Sequence, residues 1–198
     1  MNSLYDFIVK PIGERYNNTK KLAGKDFVTN TRIESFKNVN RRAEIIATPK
    51  TIETNLESGN EVIVHHNVFR RFYDIRGNEK NSKSYMFDNM YAVSQEQIYA
   101  YKNIDGNWKT HQDYCFVQPI KANDNTVDVE KPLHGILRFG NKCLDINEGD
   151  LVCFTPDSEF EFVFDGKLLY CMKSNNIILS HGNKRDAQEY NPSWTSSS

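Results

Sequence analysis

A chain of 198 residues with 25 basic and 26 acidic side chains has a formal charge of -1, so it offers no broad basic surface for a nucleic-acid partner. No apolar run approaches the roughly 20 residues that span a bilayer. The opening MNSLYDFIVKP also lacks the charged and apolar segments of a signal peptide, which predicts a cytoplasmic protein with no membrane partner.

Taken in order, Leu4 to Ile12 reads as a strand ended by Pro11, a residue confined to strand ends and edges. A polar insertion follows over residues 13–42, rich in Asn, Thr, Lys and Arg, with only Leu22, Phe27, Val28, Ile33, Phe36 and Val39 as scattered apolar residues. A connection of this length without periodicity is a functional loop or a disordered one, and it is expected to be mobile. Strands are predicted again at Ala43 to Ala47 and, after a turn, at Glu61 to Phe69. Phe72 to Ile75 and Ser84 to Phe87 read as a hairpin around Gly77, and Met90 to Val93 and Gln97 to Tyr101 as closing strands. Residues 103–112 form a short linker, with Asp105-Gly106 marking a tight turn.

Beyond it, strands are predicted at Tyr114 to Ile120, Gly135 to Phe139, Asp150 to Phe154, Glu159 to Phe164, Lys167 to Met172 and Asn176 to Ser180. Asp165-Gly166 is a strong hairpin signal. The tail, residues 182–198, is polar and expected to be flexible, with Tyr190 and Trp194 available to a partner. Helical periodicity is nearly absent, so the chain is all-β, built as small β-barrels or sandwiches between which periodicity does not choose.

Three anchors return in the same order. Asp6-Phe7-Ile8-Val9-Lys10-Pro11-Ile12 matches Tyr114-Cys115-Phe116-Val117-Gln118-Pro119-Ile120; Leu56 to Val64 (LESGNEVIV) matches Ile146 to Phe154 (INEGDLVCF); and Tyr91-Ala92-Val93 matches Tyr170-Cys171-Met172. An ordered set of this kind implies an internal duplication with units over residues 4–102 and 113–181. The first copy carries 30 residues between Ile12 and Ala43, the second 14 between Ile120 and Gly135. Each unit is small enough to be marginally stable alone, so packing or oligomerisation is expected, with the strands at Leu4 to Ile12 and Gln97 to Tyr101 as free edges. The cysteines Cys115, Cys143, Cys153 and Cys171 all lie in the second copy; three of them match Phe7, Ile63 and Ala92, which makes them buried thiols rather than a disulfide framework or Cys-rich metal site.

The ordered pattern, a Phe-Ile-Val-Lys-Pro strand, a long loop, the strand Ala43-Glu44-Ile45-Ile46-Ala47, the turn Ser58-Gly59-Asn60 into Glu61-Val62-Ile63-Val64 and a closing Ile strand, resembles the GroES family of co-chaperonins. Gly135-Ile136-Leu137 and Glu148-Gly149-Asp150-Leu151-Val152 repeat it. The resemblance implies two tandem GroES-like small β-barrels, the second shortened and lacking the loop, since residues 121–131 hold only Val127 and Val129 as apolar groups. It implies a co-chaperonin that forms a homo-oligomeric ring, caps a chaperonin ring and assists ATP-dependent folding. Docking would use Gly24, Phe27, Val28 and Thr29, with Phe27 and Val28 as the apolar anchors. A virion structural protein that meets phage capsid proteins through the same fold is the alternative.

No catalytic constellation is present in the sequence: there is no G-x-G-x-x-G, Walker A, H-E-x-x-H or G-x-S-x-G, so no enzyme activity, cofactor or metal ligand is expected. His65 and His66 are neighbours on a predicted strand, where they would point to opposite faces and not share a metal. His111, His134 and His181 stand isolated in sequence. Phe69-Arg70-Arg71-Phe72-Tyr73 reads as a core row of Phe69 and Tyr73 with a charged outer row, suited to subunit contact more than to single-stranded nucleic acid.

Overall fold

A computed structural model describes residues 3–16, 19–22, 25–28, 39–122, 128–140, 146–164, 166–183, 186–193 and 195. The chain divides into two compact units, Met1–Asn107 and Trp108–Ser198, and the architecture is all-β with antiparallel sheets.

The first unit contains β1 (Phe7–Pro11), β2 (Thr19–Leu22), β3 (Lys25–Val28), β4 (Arg42–Ala47), β5 (Glu61–Val64), β6 (Arg71–Tyr73), β7 (Glu79–Asn81), β8 (Tyr91–Val93) and β9 (Ile98–Lys102). Its main sheet runs β9-β5-β4-β1-β8, while β2 with β3 and β6 with β7 form separate two-stranded ladders. Alternation sets the inner face. In β4, Ala43, Ile45 and Ala47 are buried while Arg42 and Glu44 are exposed, the period of 2 expected of a half-buried strand. The core gathers Phe7, Val9, Ile45, Val62, Val64, Phe69, Tyr91 and Ile98.

The second unit contains β10 (Trp108–Thr110), β11 (Tyr114–Lys121), β12 (Glu130–Phe139), β13 (Asp150–Phe154), β14 (Phe160–Phe164), β15 (Lys167–Lys173) and β16 (Ile177–Asn183). Its sheet runs β14-β15-β11-β12-β13-β16, around a core of Cys115, Val117, Leu137, Val152, Phe154, Tyr170 and Met172.

The two sheets follow one plan down to single residues. Pro11 pairs with Ala43 and Pro119 with Gly135; Val9 pairs with Tyr91 and Val117 with Tyr170; Ile63 pairs with Ala100 and Cys153 with Leu179. The turns agree as well. The Gly59 N–H donates to the Ile45 carbonyl at 2.7 Å and the Gly149 N–H to the Leu137 carbonyl at 2.7 Å. The Asn60 side chain accepts from the Glu57 N–H at 2.8 Å, and the Asp150 carboxylate from the Asn147 N–H at 3.1 Å. Both glycines hold φ in the left-handed region, +92° and +96°, where a Cβ is strained.

Several expectations need correction. Among the described residues neither sheet closes into a barrel: β8 and β9 are not neighbours in the first, nor β14 and β16 in the second. The outer side of β8 is taken by a loop instead, the Ala92 N–H donating to the Ser84 carbonyl at 2.8 Å. The expected free edge at Leu4 to Ile12 is likewise filled, because β1 is paired on both sides, by β4 and by β8.

The hairpin expected at Phe72 to Ile75 and Ser84 to Phe87 forms earlier and tighter, as β6 and β7. The Asp74 carboxylate accepts the N–H groups of Arg76 and Asn78, each at 2.9 Å, which closes the turn at once. The tail is not free either. The Lys121 N–H donates to the Gln188 carbonyl at 2.8 Å, the Tyr190 N–H to the Pro119 carbonyl at 2.9 Å, and Asn191 accepts from the Leu168 N–H at 2.8 Å. Trp194 lies outside the described residues.

Gly135 is required by close approach. A Cβ there would lie 2.4 Å from Val117 Cγ1 and 2.6 Å from the Gln118 carbonyl oxygen, and backbone cannot swing aside. Gly135→Ala is therefore expected to cost about 1–3 kcal/mol, the range for overpacking, measured by urea denaturation. Ala43→Gly, at the matching position of the first unit, should cost only the smaller penalty of a strand glycine.

His111 is 5% exposed, and burial, with the Lys173 ammonium second, pushes its pKa from 6.5 down to about 4. The unfolded chain therefore binds this proton between about pH 6.5 and pH 4 while the folded protein does not. The resulting stability is present above pH 6.5 and lost as pH falls toward 4. His111→Gln should flatten the pH dependence of thermal stability across that window relative to the wild-type protein. His65 and His66, also lowered by burial, keep a residual slope.

Candidate functional site

The insertion between β1 and β4 is the feature that distinguishes the first unit. Its ends are built into the core rather than loose. Tyr16 and Val39 bridge each other and are 6% and 4% exposed. Asn40, itself buried, closes the base: its amide donates to the Ile12 and Glu14 carbonyls, each at 2.8 Å, and its carbonyl oxygen accepts from the Arg42 N–H at 2.9 Å. The Arg15 guanidinium donates to the Phe69 carbonyl at 2.8 Å and lies over the Tyr91 ring. The Arg71 N–H donates to the Tyr16 hydroxyl at 2.6 Å.

Above this base, β2 and β3 pair with Lys20 opposite Phe27 and Thr19 opposite Val28. Of the sequence-predicted docking residues, Phe27 and Val28 thus lie on β3; Gly24 and Thr29 fall outside the described residues. Corresponding strands β11 and β12 are joined by a short connection whose ends pair, Lys121 with Glu130.

His65 and His66 do not lie on a strand. β5 ends at Val64 and a 3-10 turn covers His66–Val68, with His65 Nδ1 accepting from the Asn67 N–H at 3.0 Å. Strand alternation therefore fails, and the two rings stack at 4.3 Å between centroids. Burial, then the positive charge of its neighbours, pushes His66 down to about 4. In the aromatic cluster, Phe69 is fully buried edge-on to Tyr91. Tyr73, expected in the same core row, is exposed on β6 because the sheet containing it is a free-standing hairpin.

The second unit gathers a group that sequence reading left apart. His134 on β12 pairs directly with Cys153 on β13, and Cys153 pairs in turn with Leu179 on β16, two residues before His181. On antiparallel strands this places all three side chains on one face. Their ligand atoms lie within 4.8 Å of one another. Cys153 Sγ is 3.2 Å from His181 Nε2, and the His134 and His181 rings are nearly parallel, 6.2 Å apart at 9°. His134 Nδ1 is 2.7 Å from the Pro132 carbonyl. A carbonyl only accepts, so Nδ1 carries the proton and Nε2 the lone pair. Burial raises the Cys153 thiol, and Lys131 opposes it.

The signal for this cluster was present in the matched strand anchors. Cys153 matches Ile63, and the same register puts His134 at Arg42 and His181 at Lys102, neighbours across three strands. Cys143 lies outside the described residues, while Cys115 and Cys171 are buried.

No protein-family model and no curated protein sequence matches the chain. Among the described residues no helix is long and apolar enough to cross a membrane.

Asn40→Ala removes three part-buried side-chain hydrogen bonds to backbone groups and is expected to destabilise the first unit by about 1–3 kcal/mol. Amide exchange should accelerate at Asn40 itself, whose N–H is bonded to the Arg15 carbonyl at 2.9 Å, while protection in β11 to β13 stays unchanged.

Proposed function

We propose that this chain is a tandem GroES-like protein acting as a co-chaperonin, without a catalytic step of its own: it docks on a chaperonin ring through the β2–β3 hairpin around Phe27 and assists ATP-dependent folding carried out by that partner. The observation that carries the reading is the hairpin's place. It is inserted between the paired strands β1 and β4 of one unit only, with its base fixed by Tyr16, Val39 and Asn40. The shared strand order and pairing of the two units support an origin by duplication. A ligand-binding element on a fixed frame is the arrangement in which loop residues specify a partner while the sheet stays constant.

Assembly into a homo-oligomeric ring belongs to the same proposal. Since β1 is paired on both sides, a subunit contact is better sought in the second unit, where among the described residues β16 pairs with β13 alone and leaves Ile178 and Leu179 exposed.

The experiment is native mass spectrometry of the chain alone and with a purified chaperonin ring and nucleotide. The expected outcome is a closed oligomer that joins the ring. Phe27→Ser with Val28→Ser should abolish the complex, because apolar anchors dominate interfaces, while leaving the melting temperature within about 2 °C. A wild-type chain that stays monomeric and never joins the ring, but copurifies with assembled capsids, would replace this reading by the virion one.

A further inference from the structure

The structure assigns a second, independent site to the chain: we propose that His134, Cys153 and His181 bind one zinc ion, joining β12, β13 and the outermost strand β16. The donor set is two imidazoles and one thiolate, the combination that suits zinc among the abundant divalent ions, whereas magnesium and calcium require oxygen ligands. The proposal does not depend on the co-chaperonin reading.

Three observations converge. The donors come from three adjacent strands and are set side by side by pairing, so the sheet itself holds the ligand positions. At about 2.3 Å for zinc–sulfur and about 2.0 Å for zinc–nitrogen, tetrahedral ligands stand about 3.5 Å apart; the Cys153–His181 separation of 3.2 Å is close to that. The longest separation, within 4.8 Å, must contract, by a small shift of the exposed His181 ring. Finally, His134 is already in the tautomer a ligand needs. Its Nδ1–H is spent on the Pro132 carbonyl, an outer partner of the kind that orients metal-binding histidines, leaving Nε2 to bind.

The matching position of the first unit shows what such a link does. There Arg42 on β4 and Lys102 on β9 both pair with Glu61 on β5, the lysine at 3.4 Å, so charge joins the same three strands. Leu151 stands where Glu61 would be. The second unit lacks the central carboxylate and has nitrogen and sulfur donors at the places of Arg42, Ile63 and Lys102. Binding is an acid–base exchange: zinc accepts lone pairs from two neutral imidazoles and from sulfur, the Cys153 S–H proton passes to solvent, and water completes the fourth position. No electron is transferred.

The test uses the full-length reduced protein and cobalt(II) as a spectroscopic substitute for zinc. One equivalent should give tetrahedral visible bands and a near-ultraviolet thiolate-to-cobalt charge-transfer band, both displaced by zinc. Zinc should also raise the melting temperature, since a ligand of the folded state stabilises it by mass action. His181→Ala, at an exposed position, should weaken zinc binding by at least the ~10–100-fold that even outer-sphere changes cost, with an unchanged metal-free melting temperature. Cys153→Ser should remove the charge-transfer band. If Cys153→Ser fails to fold, His134→Gln with His181→Ala tests the same site, with folding checked by circular dichroism. Absence of the thiolate band, or equal zinc affinity in wild type and His181→Ala, overturns the assignment.

Discussion

The backbone hydrogen bond from Gly149 to Leu137, and its counterpart from Gly59 to Ile45, fixes how the third strand of each main sheet returns along the second. Because side chains alternate with a period of two, a slip by one residue would turn every side chain of β5 or β13 to the other face. The turn therefore decides that Val62, Val64, Val152 and Phe154 face the cores. It also decides that Ile63 stands opposite Arg42 and Cys153 opposite His134. A left-handed glycine closes the turn, and the side chain of Asn60 or Asp150 locks it by accepting a backbone N–H, so the constraint is carried by the backbone and one short polar group.

From that common frame the units diverge on the face away from the core. In the first, ion pairs join the strands, with Glu61 accepting from Arg42 Nε at 2.6 Å. Half-exposed pairs of this kind are worth little, usually up to about 1 kcal/mol. The second unit has Leu151 in place of the central acid and a half-buried row of His134, Cys153 and His181. Burial raises the pKa of the Cys153 thiol, which favours its neutral form in the metal-free protein. Among the described residues strand β16 pairs with β13 alone, so whatever joins it to β12 as well ties down an edge of the sheet.

Repeated anchors were legible because a turn and its flanking strands are local: Gly plus Asn or Asp before a β-branched run specifies the same bend wherever it occurs. What was not legible depends on contacts distant in sequence. Tyr16 and Val39 read as loop residues, yet they meet across the insertion and enter the core. Asp74 closes a turn earlier than the apolar pattern suggested, and the tail is captured by backbone groups of β11 and β15. His134 and His181 read as isolated because 46 intervening residues are folded away by strand pairing.

The anchoring of the insertion bears on how its two ends and its tip are divided. Tyr16 and Val39 belong to the same core cluster as Phe69 and Tyr91, and Arg15 covers the Tyr91 ring while bonding the Phe69 carbonyl. The first unit thus needs the base of the insertion to seal its largest buried aromatics, while the second, with a shorter connection, packs Phe154 and Tyr170 with the flanking Leu133, Ile146 and Ile177. Shortening the insertion at its base would open the core, so the base is constrained by folding. Among the described residues the hairpin of β2 and β3 pairs only with itself and adds no strand to the main sheet, so its pairing is separate from the register that β1, β4 and the turn at Gly59 set.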